Sequence, residues 1–175
     1  PSSGNAFVKH YLPEDTIAEN NNYRAWHSAG WITATPGKTI DYDYIEDDLI
    51  ELKGIYNIIE VAYDPFQATQ FSTRMSKEGF LMVEYGATVK NFSEPMKKLE
   101  SMILNKEIAF TYDPVLMWMF GNVVAKLDKK DNIFPDKEAV KNKIDGVVAL
   151  IMCIGRGVFA IDSSSVYDRR GVIEL

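Results

Sequence analysis

Residues 55–85 read IYNIIEVAYDPFQATQFSTRMSKEGFLMVEY, and the succession of patterns in this stretch decides the fold. Ile55 to Tyr63 is mostly apolar and β-branched, as expected of a central strand covered on both faces. It ends at Asp64-Pro65. Phe66 to Lys77 is then predicted helical, with Gly79 as its stop, and Phe80 to Tyr85 returns to strand composition. The order strand, helix, strand predicts a parallel α/β unit.

On the N-terminal side, Pro13-Glu14-Asp15 opens a helix, since proline suits the first turn and acids suit its positive end. The helical segment Tyr23–Ala29 stops at Gly30. Trp31 to Thr35 reads as a short strand closed by Pro36-Gly37. Asp41 to Leu52 has the spacing of an amphipathic helix, and its acids Asp41, Asp43, Glu46, Asp47 and Asp48 read as a solvated face rather than a metal cluster. On the C-terminal side, Ser93-Glu94-Pro95 is expected to start a helix with Ser93 as its cap and Met96, Leu99, Met102 and Ile103 facing inward. Residues 113–120 form a short apolar helix. Val123–Leu127 and Ile133-Phe134 flank Asp128-Lys129-Lys130-Asp131-Asn132, a hairpin or flap with a basic tip. Asp136 to about Phe159 is predicted to be one long helix, and residues 162–175 a polar, irregular tail.

The chain has 175 residues, 46% apolar and 25% charged, which predicts a single globular domain over residues 1–175. A disordered chain, a collagen-like repeat and a coiled coil are excluded. The longest apolar run, Gly146 to Ile154, is too short to span a bilayer, so no membrane partner is expected. No signal peptide is read at the start, and the leading Pro1 suggests a piece cut from something longer. Cys153 is the only cysteine, which excludes an internal disulfide and a thiolate zinc site. It is expected to be a buried small hydrophobe. With His10 and His27 the only histidines, any metal must sit on oxygen ligands. The formal net charge is −6, yet residues 90–143 carry 10 basic and 8 acidic side chains, so a basic surface belongs to the second half.

Two carboxylates stand out by position. Asp64 lies at the carboxyl end of the predicted central strand, where α/β sheets place functional groups. Asp145 interrupts the apolar face of the predicted last helix, where an acid is costly unless paired or bound to a cation. Alternatively, Asp64 caps the following helix and Asp145 pairs with Lys141 or Lys143. Together, a strand-end and a helix aspartate match the metal-bridging carboxylates of nucleases.

The order of short motifs resembles the nuclease domain of a tailed-phage terminase large subunit, the DNA-packaging motor protein. The matching stretches are YLPED (11–15), YRAWHSAGWITATPGKTIDY (23–42), AYDPFQA (62–68), FSEPMKKLE (92–100), PVLMWMFGNV (114–123), NIFPDKEAVKNKIDGVVAL (132–150) and SVYDRRGVIEL (165–175). No single stretch is diagnostic; their order across nearly the whole chain carries the resemblance.

The resemblance implies a ribonuclease H-like fold, a mixed sheet flanked by helices, in which three acidic positions hold two Mg²⁺ or Mn²⁺ ions for cutting DNA. Asp64 would be the second acid and Asp145 the third. The first belongs to a strand ahead of YLPED, for which residues 1–10 offer no match, so the first strands are expected to be missing and the site incomplete. No G-x-x-x-x-G-K-[ST] occurs, so ATP hydrolysis is not expected of this chain. Lys129 and Lys130 on the flap, with Lys137 and Lys143 near Asp145, would meet DNA phosphates. The implied partners are double-stranded DNA and the portal, procapsid and small terminase subunit, in the cytoplasm of a bacterial host. The competing expectation is a docking module for those partners without catalysis.

Overall fold

The structure is a computed structural model that describes residues 4–66 and 68–168, the side chains as far as residue 157. Its first strand, β1 (Gly4–Ala6), pairs in parallel with β6 (Ile108–Phe110). β2 (His10–Pro13) and β3 (Ile32–Thr35) are parallel in the register His10 to Ile32. They are joined by α1 (Glu14–Ala18) and α2 (Asn21–Ser28). Helix α3 (Tyr42–Ile55) follows, capped by Asp41, whose carboxylate accepts from the Asp43 amide at 3.0 Å.

The parallel unit read from residues 55–85 is present, but shorter than expected. β4 is only Val61–Tyr63, α4 is Thr69–Lys77 and β5 is Met82–Glu84, with Val61 opposite Met82. Gly79, at φ +78°, supplies the left-handed turn between α4 and β5. Ile55 still belongs to α3, and Ile55 and Ile59 are 65% and 68% exposed. β4 has β5 as its one paired neighbour among the described residues, so it is not central in a wider sheet as its composition suggests, and its three residues are each half-buried.

Helix α5 spans Val89–Leu104 and starts four residues before the expected cap. Thr88 is the cap and accepts from the Asn91 amide at 3.3 Å. Ser93 instead lies inside the helix, where its hydroxyl accepts from the Ile133 amide at 3.1 Å and ties down the hairpin. Leu99 is buried as predicted, but Ile103 is exposed. Pro95 within α5 has no N–H to offer the Asn91 carbonyl. The Tyr85 hydroxyl supplies the missing donor at 2.6 Å.

Helix α6 (Pro114–Asn122) is capped by Asp113, which accepts from the amides of Val115 and Leu116 at 2.9 and 3.0 Å. The antiparallel hairpin of β7 (Val124–Leu127) and β8 (Ile133–Asp136) is as predicted. The last helix is displaced from its prediction: α7 runs Asp145–Asp168, so the residues after Asp136 are not helical and part of the expected irregular tail is. An early start would have placed Lys137, Lys141 and Lys143 at a positive helix end, whereas Asp145 is favoured there. Residues 169–175 lie outside the described residues.

The core sits where α5, α6 and α7 meet. Phe92, Leu116 and Ile151 are buried there, with Val147 and Leu150 completing the inward stripe of α7. Trp26, Trp118 and Tyr23 pack together, Trp26 and Trp118 with ring centroids 5.4 Å apart, so these two tryptophans serve packing. Met119 and Met152 fill the core, but Met117 is exposed.

Candidate active site

Asp145 is the first residue of α7 and is exposed, not set in the apolar stripe of a continuing helix. The burial cost expected of it is therefore absent, and its negative charge meets the positive helix end. Asn122 Nδ2 donates to the Lys143 carbonyl at 3.0 Å and fixes the chain two residues before the acid. The Gly146 amide meets the Met119 sulfur at 3.2 Å, so α6, which also carries Asn122, holds the head of α7 at two points. Asn122 is thus a positioning residue, although its place in FGNVV suggests no role from sequence.

Asp145 opens on a cavity of about 350 Å³ shared with Lys9, His10, Tyr11, Tyr23 and Lys143. Burial first, and the charge of Asp145 second, raise the Tyr23 phenol above its ordinary range. Tyr11 is raised likewise, by burial and then by its hydrogen bond to Asp48. Burial acts to raise the Asp48 carboxyl, but hydrogen bonds from Lys9 and Tyr11 hold it below its usual value, with Lys9 Nζ at 2.8 Å. The acids of α3 are consequently not a merely solvated face. Asp43 and Glu46 both engage Arg74, at 2.9 and 2.6 Å, and Glu46 is buried. His10, in the wall of the cavity, also belongs to a buried pair that sequence reading missed: His10 Nε2 and Asp113 Oδ2, 2.8 Å apart. Its partners are 103 residues apart, so no local pattern could reveal it.

Asp64 follows β4 and is exposed. Its Oδ1 accepts from the Phe66 amide at 2.9 Å, a local turn bond rather than the helix cap of the alternative reading, since α4 begins at Thr69 without a side-chain cap. Neither Asp64 nor Asp145 forms an ion pair with a lysine or arginine among the described residues. Asp64 is not among the residues lining the Asp145 cavity. Among the described residues, no three His, Cys, Asp or Glu side chains gather into a metal-holding group.

Of the candidate lysines, Lys143 shares the Asp145 cavity, and Lys129, Lys130 and Lys137 do not line it. The hairpin tip is built by Asp128, which accepts from the Lys130 and Asn132 amides at 2.7 and 3.1 Å. Lys129 and Lys130 stand exposed on that turn beside a groove toward Lys90 and Ser93 of α5. Lys137 is half-buried just after β8.

A further ion pair links α7, which begins at Asp145, to the chain just before β4, which Asp64 follows. Arg156 of α7 meets Glu60, the residue before β4, through Nε at 2.5 Å and NH2 at 2.8 Å. This bidentate partner holds the Glu60 carboxyl below its ordinary value against the opposing effect of burial. Cys153, one turn earlier, is an exposed residue rather than the buried one expected, although desolvation of its sulfur first and the Glu60 charge second push the thiol up.

The sequence profile of the terminase large subunit, endonuclease domain, matches residues 9–160. The chain belongs to this family. Protein YmfN of Escherichia coli (strain K12) is 35% identical over 159 residues, covering 85% of this chain and 35% of that protein. The terminase large subunit of Enterobacteria phage HK97 is 30% identical over 146 residues, covering 82% of this chain and 29% of its own length. The crystal structure of the HK97 bacteriophage large terminase superimposes with a TM-score of 0.75 at 29% identity, over 83% of this chain and 32% of that one. The fold is thus that of the terminase nuclease domain, ribonuclease H-like, and the chain spans about a third of the length of these relatives. Among the described residues no helix is long and apolar enough to cross a membrane.

Proposed function

We propose that Asp64 and Asp145 are two of the carboxylates with which this chain, as the endonuclease part of a terminase large subunit, holds divalent metal ions to cut concatemeric DNA during genome packaging. The observation that carries this reading is the state of Asp145: an exposed carboxylate at the head of α7, opening on a cavity and unpaired with Lys141 or Lys143 among the described residues. The donor chemistry suits Mg²⁺ or Mn²⁺, which prefer hard oxygen ligands. Two acids do not complete such a site, so a third oxygen donor would join them, from the strand that precedes YLPED in the family. The bound ions would supply the Lewis acidity for phosphodiester hydrolysis. Asp64 and Asp145 would be the residues of this chain that hold them, and Lys129, Lys130, Lys137 and Lys143 would meet phosphates of double-stranded DNA. In the whole protein the further partners would be the portal, the procapsid and the small terminase subunit, in the bacterial host's cytoplasm.

Calorimetric titration of the 175-residue chain with Mn²⁺ tests the reading. Saturable binding lost in Asp145→Asn and in Asp64→Asn supports it. Binding that survives both substitutions favours the non-catalytic docking module instead.

A further inference from the structure

We propose that Glu60 and Arg156 are positioning residues for the metal site, a pin that sets the register of α7 against β4 and so places Asp145 relative to Asp64. The proposal rests on the reading of those aspartates as metal ligands. The pin's partners are 96 residues apart in sequence and bring a helix to a strand end. Arg156 lies eleven residues beyond Asp145, about three turns and roughly 16 Å along the helix, and so returns to nearly the same face. Asp145, Ala149, Cys153 and Arg156 fall at the i, i+4, i+8, i+11 positions of that one stripe. Glu60 and Asp64 bracket β4, about 13 Å apart along extended chain. Each aspartate therefore sits at the end of a rigid arm whose other end is held in the ion pair.

The geometry of the pair suits this work better than a lysine contact would. A guanidinium fork bound by both carboxylate oxygens fixes direction as well as distance. Its side chains are 30% and 19% exposed, sheltered enough to limit screening. The next residue back reinforces it: Gly155 lets α7 settle against Tyr85, which directly follows β5. At the opposite end of the stripe, Gly146 is packed against Met119 and Leu116 of α6. The head of α7 is thus positioned from α6, and its fourth turn from the β4–β5 pair. Loss of the pin leaves the β4 segment, and Asp64 with it, free to shift along a helix whose head stays packed on α6.

Mn²⁺ titration of Glu60→Gln, Arg156→Gln and the exchanged pair Glu60→Arg with Arg156→Glu, each with a thermal melt, tests the inference. A site left about 1 Å too loose by its supporting contacts is impaired, so each single substitution is expected to weaken Mn²⁺ binding about tenfold. The exchanged pair is expected to recover most of it. Unchanged affinity with a lowered melting temperature shows a merely structural contact and overturns the proposal, as does an exchanged pair no better than the single variants. Should the glutamine variants fail to fold, Arg156→Lys, which keeps the charge but cannot bind both oxygens in the same plane, is expected to weaken Mn²⁺ binding; unaltered affinity there also overturns it. Asp145→Asn run alongside separates the two levels. If it binds Mn²⁺ as the parent does, the metal-ligand reading itself fails and this inference with it.

Discussion

Two glycines of α7 have close neighbours, and the stiffness of those neighbours decides what an added methyl group does. At Gly155 a Cβ would overlap the Tyr85 hydroxyl and stand 2.8 Å from Tyr85 Cζ and 3.0 Å from Pro95 Cγ. Tyr85 cannot retreat: its hydroxyl is engaged by the Asn91 carbonyl and its ring stacks on Phe92 at 6.0 Å. Alanine gains about 1 kcal/mol over glycine in a helix, but overpacking of this kind costs about 1–3 kcal/mol. Because the added Cβ would overlap the fixed Tyr85 hydroxyl, the cost falls in the upper part of that range, and Gly155→Ala is expected to lose about 1–2 kcal/mol net and about 2–8 °C in melting temperature. At Gly146 the nearest atoms are Met119 Sδ at 3.1 Å and Leu116 Cδ1 at 3.2 Å, ends of flexible side chains that can give way. Gly146→Ala is expected to stay within about 2 °C of the parent. Thermal denaturation followed by circular dichroism reads both, and equal melting temperatures for the two variants would contradict the argument. None of this is legible in the sequence, where Gly155 and Gly157 flank Arg156 alike. Only Gly155 has a neighbour within 4 Å, because Tyr85, 70 residues earlier, passes beneath it.

Helix α5 contains a comparable device at the level of the element. Pro95 deprives the Asn91 carbonyl of its helical donor, and Tyr85, from the end of the β4–β5 unit, replaces it. A tertiary contact thus repairs a local defect. Tyr85→Phe should leave that part-buried carbonyl unsatisfied, at a cost of about 1–3 kcal/mol. In the Pro95→Ala background the helix's own N–H is available, and the same substitution should cost less than half as much. Chemical denaturation of the four proteins in a double-mutant cycle measures the difference, and additive losses would refute the exchange of donors. The same element shows where sequence reading stops. Ser93-Glu94-Pro95 has the composition of a helix start, yet Thr88 begins the helix because Ser93 is engaged by the hairpin amide of Ile133, 40 residues away. The start of α7 was misplaced for a related reason, since periodicity over residues 136–159 does not show that Asn122 holds the Lys143 carbonyl outside the helix. The hairpin of β7 and β8 was legible because its turn chemistry is local, with Asp128 closing its own loop. The identity of the whole was legible only from the order of many motifs, each uninformative alone.

On the scale of the whole molecule, a net charge of −6 means that attraction to DNA cannot come from the chain as a body and must be concentrated locally. Residues 1–64 hold 4 basic and 11 acidic side chains, and several of those acids already engage Lys9 and Arg74. The hairpin differs. Of the two acids in its turn, Asp128 spends its oxygens on the turn itself, with hydrogen bonds from Asn132 foremost in holding its carboxyl below the usual value. Lys129 and Lys130 are left projecting, with no ion pair among the described residues. If phosphates lie there, each lysine neutralises one and releases its counterion, so the slope of log affinity against log salt falls by about 0.9 for each removed. Duplex binding by the chain, measured by fluorescence anisotropy from 50 to 200 mM salt, should accordingly lose nearly two from its slope in Lys129→Ala with Lys130→Ala. Lys38→Ala, an exposed cation of the acidic half, should leave the slope unchanged. A uniform weakening in all variants would point to the diffuse field of the protein, whereas an unaltered slope in the double variant would remove the hairpin from the DNA path. The distinction matters for the nuclease reading, because cutting needs a surface of this chain that holds the duplex, and the hairpin is the candidate whose lysines are left without an ion pair among the described residues.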